Sequence, residues 1–507
     1  MTSQQSKPEL SIGNSGAAGS RPANSVEPAV WPASTAAAEG HPPAPHRHHV
    51  SFLFVLFGFL CFIAGVYLLL ADPGGWGERR IVSQGMSFGG SDAGVSSGAP
   101  RSVTFDTSAP AAATAGAATS RSVPTAMAAF PAEVLDGLTR SAESRGLPAA
   151  TVQRAFANLE ALPASAIRDA LAPAERSQSA GDFLKFNVAN QSIDQGRRLL
   201  SEHAGLLHTI ERHYGVDRHI LVALWGVESG YGRGLSGSHY QLATLASLAG
   251  ADRPRRQFWQ SEFLSALALI EAGELPSGQI VGSPIGALGP LGLLPSVIER
   301  FGVDFDGDGR RDVINSLPDA FATAANALRA AGWRDGRAWG REVTLPQDFD
   351  FALAAPSISR TPSDWQALGI RVISGLLPFD DDPVWRLVLP AGAKGPAFLV
   401  STNFDVLLRA NRAVPYALAV SHLADRLAGG RAIDANWPAD DMALTADEAA
   451  DLQRLLLAAT FDPGPIDGIV GPLTQDAVRR YQRARGLITD GHPTHALLRQ
   501  LRAERRN

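Results

Sequence analysis

One carboxylate in this chain of 507 residues is placed by its neighbours where it could move a proton. In the segment VDRHILVALWGVESGYG, Ile220, Ala223, Leu224 and Val227 recur at the spacing of one helix face, and Glu228 falls four residues after Leu224 on the same stripe. A carboxyl at the end of an apolar face is partly desolvated. Desolvation disfavours the charged form, so its pKa rises and it can hold a proton near neutral pH, as a general acid must. A glutamate that merely ends a helix in solvent has the same local sequence, and the segment alone leaves both readings open. A second group is Asp304, Asp306 and Asp308 followed by Gly309, oxygen donors on alternate residues with a glycine for the sharp turn, which is how a calcium loop begins. Arg310 takes the seventh place of that loop, but Asn315 stands at the twelfth, where a standard loop carries a carboxylate. A plain Asp/Gly turn is the alternative.

Asp217 can cap the helix that carries Glu228, and Ser229-Gly230-Tyr231-Gly232 should break it and leave the carboxylate facing open space. Regular apolar patterning starts near Phe130 and reads mostly helical. The chain is longer than one hydrophobic core usually organises, which implies at least two domains plus tails. Lys+Arg 45 against Asp+Glu 50 gives a net charge of -5, with none of the basic excess of a nucleic-acid binder. A single cysteine, Cys61, excludes an intramolecular disulfide framework and every multi-cysteine metal site.

Residues 1–49 are polar and rich in Pro, Ala, Ser and Gly, and read as a disordered tail. Residues 50–71 carry no charge and are long enough for a helix to cross a bilayer core of about 30 Å. No small-x-small cleavage site follows, so a transmembrane helix is expected rather than a removed signal peptide. Residues 72–128 have the small-residue composition of a flexible linker.

The blocks ALWGVESGYGR, LATLA, RPRRQFWQSEFLSAL, GSPIGALGPLGLLPS, VDFDGDGRRD and NSLPDAFATAANALRAAGW, in that order, resemble the membrane-bound lytic murein transglycosylase B family from about residue 195 to residue 427. The resemblance implies a mainly α, lysozyme-like catalytic domain over 129–433. It also implies non-hydrolytic cleavage of the MurNAc–GlcNAc β-1,4 bond of peptidoglycan to give 1,6-anhydro-MurNAc ends, with Glu228 as general acid and then base. Carried over residue by residue, Ser283 matches the serine near the catalytic carboxyl, Arg255 and Arg256 the arginines of the glycan cleft, and Asn411 and Tyr416 the family's asparagine and tyrosine. No cofactor is implied for catalysis. A structural Ca2+ is a candidate, held by an EF-hand-like loop of Asp304, Asp306, Asp308 and Arg310 whose extra length would make Asp319 the last ligand.

The chain departs from the family pattern at three places: Gly292 stands where a cleft glutamine is expected, Pro290 replaces a polar or aromatic neighbour, and Ala410 occupies a tyrosine position before Asn411. These departures motivate an alternative, a non-catalytic peptidoglycan-binding or scaffold protein. Under the enzyme reading, a glutamine restored at position 292 should change activity only modestly, because proton transfer by Glu228 does not need that amide.

In the C-terminal region Thr445 and Glu448 form a capping box ahead of Leu452, Leu455 and Leu456, and Thr474 can cap a second helix with Ala477, Val478 and Tyr481. A third helix runs through Leu497, Leu498 and Leu501. The residues alone give a small three-helix bundle. The series LQRLL, FDPGPIDGIVGPLTQDAVRRYQRARGL and TDG resembles the type 1 peptidoglycan-binding domain over 440–503, with Asp467, Gly468 and Gly471 shaping its loop. The resulting expectation is a bacterial inner-membrane protein with one spanning helix, a cytoplasmic N-terminus, and periplasmic catalytic and wall-binding domains whose partner is the peptidoglycan glycan strand.

Overall fold

The computed structural model describes residues 130–157, 159–171, 178–233, 239–276, 281–375 and 384–505. The tail at 1–49, the apolar run at 50–71 and the linker at 72–128 lie outside the described residues. Among the described residues no helix is long and apolar enough to cross a membrane.

In chain order the helices are α1 (Ala132–Ser144), α2 (Ala149–Phe156), α3 (Ala164–Leu171), α4 (Ala180–Asn187), α5 (Asn190–Glu202), α6 (Ala204–Tyr214), α7 (Arg218–Ser229), α8 (Gln241–Ala251), α9 (Arg256–Glu271), α10 (Pro295–Phe301), α11 (Leu317–Ala330), α12 (Pro362–Ala367), α13 (Thr402–Asn411) and α14 (Val414–Leu427), followed by α15 (Ala446–Ala458), α16 (Pro472–Ala484) and α17 (His495–Glu504). The main core gathers side chains of α4 to α7, α11, α13 and α14 around α7. A second core joins α1 and α2 to α8 and α9 through Leu138, Val152, Leu245, Trp259 and Phe263.

α7 shows why Glu228 ends up where it does. The Asp217 side chain accepts the His219 amide at 2.7 Å and so satisfies one of the unpaired donors of the first turn. Beyond the stripe visible in the sequence, Leu221, Val222 and Trp225 are also buried, so α7 is apolar all round, as a central helix must be. Gly230 adopts the left-handed conformation (φ 56°, ψ 39°) and terminates the helix. Tyr231 follows at φ 63° and turns inward, with its ring edge-on to Trp225 and its hydroxyl donating to the Ser192 carbonyl at 2.8 Å. Gly226 makes room for it, because a Cβ there would lie 2.7 Å from Tyr231 Cζ. A Gly226→Ala change would therefore press directly on the turn that ends α7.

The domain is mainly helical as expected, and the region between α11 and α13 adds a four-stranded antiparallel sheet that the sequence reading did not place. Its strands are β3 (Gly340–Thr344), β4 (Arg371–Val372), β5 (Arg386–Val388) and β6 (Ala397–Val400), in the order β4-β3-β6-β5. Gly340 pairs with Val400 and Arg386 also pairs with Val400, so β6 is the shared inner strand. Its alternate residues serve two cores: Phe398 and Val400 face the helices, while Ala397 and Leu399 face Val343, Trp365 and Trp385. A short ribbon of β1 (His239–Tyr240) and β2 (Val281–Gly282) flanks α8.

The C-terminal helices enclose their own core of Leu452, Leu456, Ala477, Val478, Tyr481, Leu498 and Leu501. The Thr445 and Glu448 capping box forms at the start of α15. The second cap differs from the sequence reading: Gly471 is the N-cap of α16, and Pro472 supplies a first-turn residue with no N–H to satisfy. Thr474 is buried inside that helix and its hydroxyl donates to the Pro463 carbonyl at 3.2 Å. Gln453, unremarkable in the sequence, organises the loop: its Oε1 accepts the Asp467 and Gly468 amides at 3.1 and 2.9 Å.

Candidate active site

Glu228 is the penultimate residue of α7 and only 4% exposed. The expectation of a carboxylate facing open space is therefore corrected. Two segments close over it. Tyr416, in the first turn of α14, donates its hydroxyl to Glu228 Oε1. On the other oxygen lies the tip of a hairpin in which Leu288 and Leu293 exchange backbone hydrogen bonds, both at 2.8 Å. Gly292 in this tip has φ +60°, and a Cβ built on it would lie 2.7 Å from Glu228 Oε2. That is well inside carbon–oxygen contact, so the backbone can approach the carboxyl this closely only because residue 292 has no side chain.

This finding also corrects the reading of position 292. A glutamine there would need a left-handed backbone and would bring its Cβ against the Glu228 carboxyl. Gly292 is a fitted position, and a glutamine there would strain the backbone and require a shift of the Glu228 carboxyl or of the loop.

The hairpin is anchored by buried side chains. Ser229, directly after Glu228, donates its hydroxyl to the Pro290 carbonyl at 2.6 Å. On the far side, Glu262 of α9 accepts the Ser296 amide at 3.0 Å and the Ser296 hydroxyl at 2.6 Å, capping α10 where it leaves the hairpin. Glu262 is buried, and burial pushes its pKa up to about 7 despite these two donors. Before the hairpin, Ser283 accepts the Ala287 amide at 3.0 Å through its hydroxyl. The Gln241 side chain donates to the Ala287 carbonyl at 3.1 Å.

The remaining sequence candidates sit as follows. Arg255 ends a short 3-10 turn before α9, where it is paired with Asp252 and lies over the Trp259 ring at 5.5 Å. Asp252 also accepts the Trp259 indole N–H at 2.8 Å, so Arg255 is held by a buried arrangement of its own. Arg256 opens α9 and is exposed. Asn411 ends α13 and is buried, five residues before Tyr416; Ala410 precedes it and is half-buried. Sequence reasoning missed Glu262, Gln241 and Ser229 as loop anchors. Their only signal was a polar type within an apolar stretch, which a solvated helix face also shows.

In the acidic loop, one carboxylate oxygen each of Asp304, Asp306 and Asp319 lies within 4.8 Å of the others. Asp319 is the first-turn acid of α11 and is fully buried; it accepts the Phe305 amide at 2.7 Å and the Asp312 amide at 2.8 Å. Among the described residues the Asp308 carboxylate is not one of this group. The Asp308 carboxylate instead accepts the Arg310 amide at 2.8 Å, a local turn.

A buried carboxyl thus closes the central helix of a mainly helical domain that is followed in the chain by a small helical module. The comparisons name the family. Residues 131–425 match the transglycosylase SLT domain and residues 445–501 match a peptidoglycan binding domain, so the chain belongs to the SLT transglycosylase domain family. It is a peptidoglycan lytic transglycosylase. SltB3 of Pseudomonas aeruginosa, solved in complex with NAG-anhNAM-pentapeptide, is 38% identical and aligns over 73% of this chain and 98% of its own, with a TM-score of 0.66. Membrane-bound lytic murein transglycosylase B of Escherichia coli (strain K12) is 26% identical over 262 residues, 50% of this chain and 69% of the relative. The Escherichia coli lytic transglycosylase Slt35, solved in complex with calcium, is 22% identical over 58% of this chain and 92% of its own; with a TM-score of 0.50 it shares the fold.

Proposed function

We propose that Glu228 is the acid and then the base of a non-hydrolytic cleavage of the MurNAc–GlcNAc bond. The observation that carries this is the enclosure of its carboxyl between the Tyr416 hydroxyl on Oε1 and the Gly292 backbone at Oε2. With Oε1 engaged by Tyr416, the transferable proton resides on Oε2. Protonation of the glycosidic oxygen accompanies cleavage of its bond to C1 of MurNAc, with the substrate's acetamido group stabilising C1 from the opposite face. The Glu228 carboxylate then takes the proton of the MurNAc C6 hydroxyl as that oxygen bonds to C1. Glu228 ends protonated, no water is consumed, and the product is a 1,6-anhydro end. One carboxyl performs both steps, where conventional glycosidases divide them between two. The anhydro-sugar ligand of the SltB3 complex supports the same product here. Ser283, Arg255, Arg256 and Asn411 are proposed to contact the glycan.

The non-catalytic alternative loses one of its three motives, because a Cβ at position 292 would lie 2.7 Å from Glu228 Oε2; Pro290 and Ala410 remain departures from the family pattern. The test is Glu228→Gln. The isostere keeps the volume and cannot shuttle the proton, so anhydro-muropeptide release from purified sacculi should vanish while the melting temperature holds. Anhydro-product at the natural rate from this variant rules the assignment out.

The Asp304, Asp306 and Asp319 carboxylates are hard oxygen donors that suit calcium, the ion present in the Slt35 complex. In this chain they would hold it as a structural ion joining the loop to α11. Residues 445–501 are proposed to bind the wall and raise the local substrate concentration of the catalytic domain. The apolar run at 50–71 is proposed to anchor the chain in the inner membrane with both domains in the periplasm. Protease added to spheroplasts should then digest the catalytic domain, and protection of that domain would refute this orientation.

A further inference from the structure

We propose that Ser229 is a positioning residue for the cleavage reaction: its hydroxyl holds the Leu288–Leu293 hairpin at the height where the Gly292 backbone seats against Glu228. This inference rests on Glu228 being the acid and base.

The Ser229 hydroxyl is buried and joins three pieces of backbone at this helix end. It lies 3.2 Å from the Trp225 carbonyl one turn back, donates to the Pro290 carbonyl at 2.6 Å, and accepts the Gly232 amide at 2.8 Å. The short bond to Pro290 marks it as the proton's main destination. Pro290 lies two residues from Gly292 in a tip closed by the Gly292 amide on the Gly289 carbonyl at 3.1 Å, so the two residues move together. The tolerance is small, because a Cβ at 292 would already lie 2.7 Å from Oε2. Residues 228 and 229 are consecutive, and α7 therefore fixes the carboxyl and the anchor of the loop that covers it with the same backbone. Without the hydroxyl, the Pro290 carbonyl loses its buried donor at the tip, and the anchors that remain lie at the two ends of the segment, Ser283 and Gln241 on Ala287 and Glu262 on Ser296. Misplacement of a reacting group by about 1 Å can cost on the order of 100-fold in rate, so a loosened tip should be read in turnover.

The experiment compares Ser229→Ala, Ser229→Thr and Ser229→Cys with Glu228→Gln in the full chain, following anhydro-product formation from soluble uncrosslinked glycan strands alongside thermal melting. Ser229→Ala should lower kcat about 30- to 100-fold with KM within about threefold. Ser229→Thr, which keeps a hydroxyl, should recover kcat to within about threefold of the natural enzyme, and Ser229→Cys, a weak donor, should fall between them. If Ser229→Ala does not fold, the Thr and Cys variants decide. Ala turnover within threefold of natural, equal impairment of Thr and Cys, or losses that follow melting temperature and KM while kcat holds would each overturn the proposal. An active Glu228→Gln variant would instead overturn the acid and base assignment, so the two failures are distinguishable.

Discussion

Glu262 gives a prediction whose sign and size follow from the structure. Its carboxyl is buried between α9 and the start of α10, and burial raises its pKa from 4.5 to about 7. A raised folded-state pKa means that the fold binds this proton more tightly than the unfolded chain does. The associated stability is fully present below the unfolded pKa near 4.5 and is lost as pH climbs through about 7. A shift of this size corresponds to about 3 kcal/mol across that window, using about 1.4 kcal/mol per pH unit. Asp425, buried and raised to about 6, acts in the same direction. His422, buried and lowered to about 4, acts oppositely: its contribution is lost as pH falls from 6.5 towards 4. A Glu262→Gln variant isolates one group from the others, since the amide resembles the protonated acid and its oxygen can still accept the Ser296 amide. Urea unfolding of the chain from residue 130 onward, for both proteins at pH 5, 6, 7 and 8, gives the difference directly. The variant should match or trail the natural protein at pH 5 and exceed it by up to about 3 kcal/mol at pH 8. A stability difference that does not change with pH would refute the reasoning.

Three further outcomes are expected. Tyr416→Phe removes the hydroxyl on Glu228 Oε1, and losing a hydrogen bond to an ionised group costs about 1.5–3 kcal/mol, so kcat should fall about tenfold to 150-fold with little change in melting temperature; unchanged turnover would remove Tyr416 from the site. Gly292→Gln should lower anhydro-product formation, because it strains a left-handed backbone position and its Cβ would displace Oε2, and activity within tenfold of natural would show that the site yields more readily than its anchors imply. Calcium should raise the melting temperature without altering kcat, by mass action on the folded state, and Asp319→Asn should erase that rise; a melting temperature indifferent to calcium would argue against the site.

The helix that carries Glu228 was legible because its signals are local: a capping aspartate, a 3.6-residue apolar period and a glycine stop. Tyr416 was legible only through the family resemblance, since 188 residues separate it from Glu228 and nothing in α14 itself marks a tyrosine for a contact with that carboxyl. Gly292 was read by its missing side chain, whereas its role comes from a positive φ and a backbone approach that no sequence pattern reports. The sheet escaped notice because its strands run only two to five residues and depend on pairing across long loops. Glu262 looked like an ordinary helix charge, and only the three-dimensional meeting of α9 with the start of α10 buries it. Thr474 shows how competing caps mislead, since Pro472 begins the helix two residues before the hydroxyl that resembled its cap.

The central claim is that Glu228 moves the proton out to the glycosidic oxygen and back from the C6 hydroxyl. Mass spectrometry of the muropeptides released from purified sacculi by the natural chain and by Glu228→Gln tests it most directly. The natural chain should release 1,6-anhydro-MurNAc ends and the variant, at the same melting temperature, should release none. Anhydro ends from the variant at the natural rate would show that another group moves the proton, and reducing MurNAc ends from the natural chain would show that water, not the C6 hydroxyl, attacks C1.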